Sequence, residues 1–525
     1  MSVENTPPTV VEEIRHSRKG WRDALYSDVG IIFLAAFAWL VFLVLLSLIT
    51  RIQYGFHRDE LGFIDNARHL ALGYIEYPPL TPFLTRFGLA LFGPSLVGFR
   101  FFAALSVCIT LVLVGLMTRD FGGGRRAQLI AMLAAATAPI LAVHASFYSY
   151  ETLDYMWWVV VAFSLVRLIK TGNPRWWLGV GAALGMGMLT KYIIAVLVLA
   201  LIVGVTFTPL RRYLKSPWLW AGAGLAILII LPNLIWQIQN GFPSVDFLSS
   251  IHERDVRIGR TDDFLIFQFF VCASGAAILL WTRGLYEVTF GKWGKDYRII
   301  GWLFVVSLIF FIVSKGRFYY LGPVYPMIIA AGTARLVGQT SATTKVSSSW
   351  QKALLPGVLI LVGIFNMAVS MPLAPVGSAW FNFAHEINGE LAEEVGWPEL
   401  VQEVARIRDT LPMEEQAKLG ILTTNYGEAG AINLYGPAYG LPTAISGVNS
   451  YWPRGYGNPP PETLIVLGMT QEWGAQYFGD CQVVGHTPNP LNVENEETSS
   501  HPDIYLCREP LYPWPELWQR MRWFG

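Results

Sequence analysis

Between residues 29 and 371 long apolar runs alternate with short polar connections, and the runs set the architecture. They cover residues 29–49, 96–117, 127–143, 156–169, 176–189, 193–207, 218–235, 264–282, 299–314, 321–337 and 354–371. A helix needs about 20 apolar residues to cross a bilayer core, and fewer where it is broken or leans on neighbours. The pattern predicts an α-helical polytopic membrane protein with about eleven transmembrane helices. The two runs flanking Lys191 also read as one kinked element.

The connections sort by sign. With a cytoplasmic N-terminus, the inner connections carry Arg119, Arg125, Arg126, Lys170, Arg175, Arg211, Arg212, Lys215, Arg283, Lys292, Lys295, Arg298, Lys345 and Lys352. The outer ones carry Asp59, Glu60, Glu151, Asp154, Asp246, Glu253, Asp255, Asp262 and Asp263, with basic exceptions at Arg58, Lys191, Lys315 and Arg317. Such an excess of cations on the cytoplasmic side orients membrane proteins. Residues 1–28, with Arg15, Arg18, Lys19 and Arg22, read as a cytoplasmic segment. The run at 29–49 is too long for the apolar stretch of a cleaved leader, so a retained first span is expected.

An odd number of spans places everything after Met371 outside. There the composition turns polar and rich in Pro and Gly. Short apolar strands at 419–423, 443–445, 464–467 and 504–506, with helices at 400–411 and 471–478, predict a small extracytoplasmic α/β domain over 372–525. The organisation is therefore a segment 1–28, a transmembrane domain 29–371 with a first outer loop at 51–95, and the outer domain. Cys481 and Cys507 are a candidate disulfide in an oxidising compartment, whereas Cys108 and Cys272 fall inside spans.

Composition narrows the function. Of 525 residues, 53% are hydrophobic and 14% charged, against roughly a quarter charged in soluble proteins. Formal net charge is zero, so no basic surface argues for nucleic acid. No phosphate-binding glycine loop occurs, which argues against an ATP-driven pump, and no Cys/His set has structural-zinc spacing.

Three constellations carry candidate chemistry. In the first outer loop, His57, Arg58, Asp59 and Glu60 put a carboxylate pair beside two basic groups, as a proton-accepting site requires. The same residues also suit a solvated interfacial loop. Glu151 and Asp154 open the fourth run one helical turn apart, on one face. They suit a polar cavity at membrane depth, or equally a helix N-terminus that favours acids. Lys315 and Arg317, followed by Tyr319, Tyr320 and Tyr325, suit a phosphate clamp with aromatic stacking, or snorkelling cations in an interfacial aromatic belt. Cations at an outer end run against the charge rule, which favours function, and Lys191 shares that argument. The mixed charges at 246–263 read as a solvated loop.

These residues resemble a known family. RDELGFIDNARHLALGY followed by YPPLTPFL, LTKY at 189–192, LPNLIWQIQNGFPSVDFL at 231–248 and KGRFYYLGPVYP at 315–326 are similar to bacterial members of the dolichyl-phosphate-mannose protein mannosyltransferase superfamily, glycosyltransferase family 39. NYGEAGAINLYG at 425–436 and SGVNSYW at 446–452 extend the likeness into the tail. The resemblance implies a GT-C architecture and inverting transfer of a sugar from a polyprenyl-phosphate carrier to an acceptor on the outer face. It implies Asp59 as base, Glu60 assisting or positioning the acceptor, Asp154 with Glu151 nearby, and Lys315 and Arg317 on the carrier phosphate. His57, Glu151 and Tyr77 fall to the acceptor or sugar side; Arg58, Lys191, Tyr319 and Tyr320 fall to the donor side. The partners implied are the lipid-linked donor, the bilayer and an acceptor the motifs leave unspecified; no cofactor is implied. One departure stands out. Aminoarabinose transferases of lipid A often carry lysine before Pro-Pro-Leu, where this chain has Tyr77, so Arg58, Arg68, Arg86 or Lys191 would have to supply that charge. The rival readings are a secondary transporter or flippase of a lipid-linked sugar, and a silent scaffold whose outer domain binds a glycan or a partner through tail aromatics Tyr426, Tyr451 and Trp452.

Overall fold

The computed structural model describes residues 27–343 and 349–525. The basic residues of the N-terminal segment, Arg15 to Arg22, and Lys345 lie outside the described residues. All the apolar runs are helical over most of their length. Among the described residues, six helices are long and apolar enough to cross a membrane, and three bent pairs raise that number to nine. Two further runs are helical but weaker as spans. Trp176–Met188 has 13 residues, about 20 Å of rise, and Tyr325–Thr343 carries Arg335.

The bends have local causes. Pro139 starts a new helix after Arg125–Ala136, and Pro209 opens the turn after Ala195–Phe207. Proline lacks the N–H needed to continue a helix but suits its first position. Between Phe264–Phe267 and Ile278–Thr289 the chain turns through Ser274 at φ 58°. Lys191 sits in an extended break between Trp176–Met188 and the turn Tyr192–Ile194. The two runs flanking it are thus separate helices.

The first outer loop is itself helical. Helix α1, Arg58–Arg68, opens with reciprocal caps: His57 Nδ1 accepts from the Asp59 N–H at 3.1 Å, and Glu60 accepts from the His57 N–H at 2.8 Å. An apolar helix Leu80–Phe92 follows. Helix α2, Tyr150–Thr171, begins where Ser149 caps the Thr152 N–H. Helix α3, Pro243–Arg257, lies in the connection that reads as a solvated loop from sequence.

The tail holds a five-stranded sheet in the order β2-β1-β3-β5-β4. Strands β1 (Leu419–Thr423), β2 (Ala444–Ser446) and β3 (Thr463–Leu467) run parallel, with Ile421 opposite Ala444 and Ile465. Strand β5 (Asp503–Pro510) is antiparallel to β3 and to β4 (Phe478–His486). A Cys481–Cys507 disulfide ties β4 to β5. The helix expected at 471–478 is one turn, Gln471–Gly474, and Phe478 already belongs to β4. As an edge strand, half exposed, β4 lacks the alternation that marks a strand in sequence.

Helix α4, Tyr426–Tyr435, connects β1 to β2. It escapes sequence reading because its two glycines are poor helix formers. One apolar cluster joins Leu61, Phe63 and Ile64 of α1 to Tyr148 and Leu153 near the start of α2. The same cluster takes in Trp397, Val401, Ile421 and Ile432 of the tail. The tail therefore shares a core with the first loop.

Candidate active site

A cavity of about 1340 Å³ lies where the first loop, the starts of the spans and the tail converge. Its polar end is built on the first turn of α1. Glu60, wholly buried, accepts from the His57 and Tyr148 N–H groups and from Arg100 Nε and Nη2, at 2.8–3.1 Å. Arg100 also pairs with Glu394 at 3.1 Å. With its oxygens committed, Glu60 is a staple of the fold and does not line the cavity. It stands behind the turn that carries Asp59, and any assistance it gives passes through that turn. Burial raises the Glu394 carboxyl to about 7, with Arg100 opposing.

Asp59, adjacent in sequence, points the other way and lines the cavity. One oxygen, Oδ1, accepts from Tyr426 Oη at 2.7 Å. His57 stacks on Phe147 at 4.1 Å and meets Glu390 at 2.9 Å through Nε2. Burial favours its neutral ring, but the Glu390 hydrogen bond and the charges of Asp59, Glu390 and Glu393 win and raise it to about 9. Protonation must break the cap on Asp59 N–H, so the transition falls at or below that value. Burial pushes the Glu390 carboxyl up, but its bond to His57 outweighs this and holds it below the usual range. Arg58 also lines the cavity, yet its guanidinium is already engaged, 3.4 Å from Glu393 and bonded to Glu496, over the Tyr426 ring. Its charge is therefore already shared with two carboxylates.

Another part of the wall is cationic and aromatic. The Lys191 ammonium pairs with Glu151 and lies 4.3 Å from the Tyr320 ring centre and 5.3 Å from those of Tyr150 and Tyr319. Arg317 donates to Tyr319 Oη at 2.8 Å and to Asp255 at 2.5 Å. Asp255, buried at the end of α3, also has Arg254 at 3.6 Å and Arg260 at 3.8 Å. Three guanidinium groups thus share one carboxylate, and Arg254, Arg260 and Arg317 all line the cavity. The stretch 246–263 is therefore not merely solvated. Its charges are mixed along the chain, and only folding gathers Arg254 and Arg260 on the Arg317 side. Tyr150 stands within interaction range of both Asp59 and Arg317. Phe247, Ile266, Phe267, Phe270 and Phe310 continue the cavity as an apolar wall.

Of the residues singled out in sequence, His57, Arg58, Asp59, Tyr77, Glu151, Lys191, Arg317, Tyr319 and Tyr320 line this one cavity. Tyr77 packs between Phe63 and Tyr150 and receives a hydrogen bond from Asn66. Besides Glu60, Asp154 and Lys315 are placed elsewhere. Asp154 is buried one turn deeper on α2, its Oδ1 without a hydrogen-bond partner among the described residues. Lys315 takes φ 49° after helix Arg298–Val313 and lines a separate pocket with Asp262 and Asp263. That left-handed step separates it from Arg317, two residues on. Of the substitutes for the missing lysine, Arg68 is engaged with the Asn433 carbonyl at 2.6 Å, Arg86 is exposed away from the cavity, and Lys191 is in it.

A profile of the dolichyl-phosphate-mannose-protein mannosyltransferase family matches residues 76–236. The undecaprenyl phosphate-alpha-4-amino-4-deoxy-L-arabinose arabinosyl transferase 1 of Pseudomonas fluorescens Pf-5 is 27% identical over 313 residues, covering 56% of this chain and 54% of that protein. The lipopolysaccharide core galacturonosyltransferase RgtB of Rhizobium johnstonii is 27% identical over 215 residues, 41% of this chain and 43% of its own. The chain thus spans about half the length of the curated relatives it matches. The crystal structure of ArnT from Cupriavidus metallidurans bound to undecaprenyl phosphate is similar in fold, with TM-score 0.55 and 17% identity. That likeness covers 89% of this chain and 98% of that one.

Proposed function

We propose that this chain is a GT-C glycosyltransferase of the dolichyl-phosphate-mannose-protein mannosyltransferase family and that it moves a sugar from a polyprenyl-phosphate carrier to an acceptor hydroxyl, inverting the anomeric centre. The observation that carries this reading is the polarity of one cavity. Asp59, a carboxylate in no ion pair with Lys or Arg among the described residues, lines it together with Lys191, Arg254, Arg260 and Arg317.

Asp59 takes the proton of the acceptor hydroxyl as that oxygen attacks the anomeric carbon. The bond from that carbon to the phosphate oxygen breaks, and its electron pair leaves with the carrier. The departing phosphate gains one negative charge, so cations stabilise it and no acid has to protonate it. Arg317, Arg254 and Arg260 supply that charge, with Lys191 in the position nearest the tyrosines. Tyr77, Tyr150, Tyr319 and Tyr320 offer faces for a sugar ring, and His57 and Glu390 border the acceptor side. The phenylalanine wall suits a polyprenyl chain. Asp154 and Lys315 act on the fold and its edge rather than on the reacting atoms.

In the same reading the N-terminus is cytoplasmic, about eleven helices cross the inner membrane, and residues 372–525 form an outer domain above the reaction site. The contact between α1 and the tail supports a common side for the two.

The test is transfer of labelled sugar from polyprenyl phosphate in membranes that contain the chain. Asp59→Asn should cut transfer by roughly 10²–10⁴-fold at unchanged protein level. Turnover near that of the unaltered chain would overturn the assignment.

A further inference from the structure

Asp59 takes a hydrogen bond from a residue 367 positions away, Tyr426 at the first turn of α4. Such a contact needs the two helices to meet at a set distance, and glycines define it. A Cβ on Gly427 would lie 2.4 Å from Arg58 Cγ, and one on Gly430 would lie 2.7 Å from the Leu61 backbone. Across the interface, a Cβ on Gly62 would press the Tyr426 ring at 3.3 Å. The Asn425 side chain caps α4 by accepting the Gly427 N–H at 2.7 Å, and it donates to Glu497 at 3.1 Å. Burial, reinforced by Asp59, pushes the Tyr426 phenol well above its ordinary range, so it is a neutral donor.

We infer that Tyr426 is a positioning residue for the proposed base: by holding Asp59 Oδ1 it presents Oδ2 to the acceptor, so the tail completes the catalytic geometry. This rests on the transfer reading above. A donor on one carboxylate oxygen restricts rotation of the group. Tail helix α4 therefore sets the aim of Asp59.

Around Asp59 stand His57 and Arg58 beside it and Tyr150 from α2, with Glu390 and Glu393 from Gly389–Glu394 against His57 and Arg58, and Glu496 behind Arg58. Tyr426→Phe leaves all of them in place. With a labelled undecaprenyl-phosphate sugar that the unaltered chain turns over, kcat should fall about tenfold or more, and the KM for donor should stay within about twofold. Replacing Tyr426 by 4-fluorophenylalanine fills the place of the hydroxyl but cannot donate, so kcat should fall as far as in the phenylalanine variant. That second protein decides the matter if the phenylalanine variant fails to fold. An unchanged kcat in the folded variants, with Asp59→Asn inactive, overturns the role of Tyr426 and leaves the transfer reading intact. Turnover by Asp59→Asn overturns the transfer reading itself.

Discussion

Asp59 and Glu60 are neighbours in sequence and opposites in surroundings. Successive residues of a helix point about 100° apart, so the turn that opens α1 sends one carboxylate into the cavity and the other into the core. Glu60 meets Arg100 there as a buried pair, and breaking such a pair costs more than forming it gains. Glu60→Gln should lower stability by about 3 kcal/mol, read as a fall in melting temperature in detergent. Activity should fall with it, because a single amide oxygen cannot meet His57, Tyr148 and Arg100 as two carboxylate oxygens do, and the first turn of α1 loosens. Unchanged melting would mean that Glu60 is not the staple described. From sequence the pair looks uniform; which acid is solvated depends on Arg100, 40 residues away.

At the scale of elements, small residues decide where helices meet. Helices Trp176–Met188 and Pro217–Gln239 cross so closely that a Cβ on Gly181 would lie 1.9 Å from the Gly222 carbonyl oxygen. Close approach through small residues is how membrane helices gain packing energy where lipid offers no hydrophobic drive. Gly181→Leu should force them apart at a cost of about 3 kcal/mol or more. Lys191 follows the first of these helices within one turn, so transfer should fall too. The checks are the monodisperse fraction after heating and the transfer assay. Helix α4 obeys the same logic against α1. Its glycines, which hide it from propensity-based reading, are what let it approach.

For the whole molecule, the consequence is that the tail is not an appendage. Its Trp397, Val401 and Ile432 pack in one cluster with Leu61, Phe63 and Ile64 of the first loop. Its Asn425, Tyr426 and Glu496 line the cavity. Deleting residues 372–525 should therefore abolish transfer outright and expose the apolar face of α1. The measurement is sugar transfer, together with the yield of monodisperse protein in detergent. Full activity in the truncated chain would return the tail to an accessory role.

Helical membrane architecture was legible in the sequence because apolar runs of bilayer length have few other solvents. So were four of the five strands, and a short set of polar residues of which Asp59, Lys191 and Arg317 share one cavity. Those signals are local: run length, alternation and the residue types a chemistry needs. The rest is a matter of distance between segments far apart in the chain. Only tertiary structure turned Glu60 inward, separated Lys315 from Arg317, gathered Arg254 and Arg260 around Asp255, and brought Tyr426 to Asp59. A side chain's role is set by what faces it, and what faces these residues arrives from other helices.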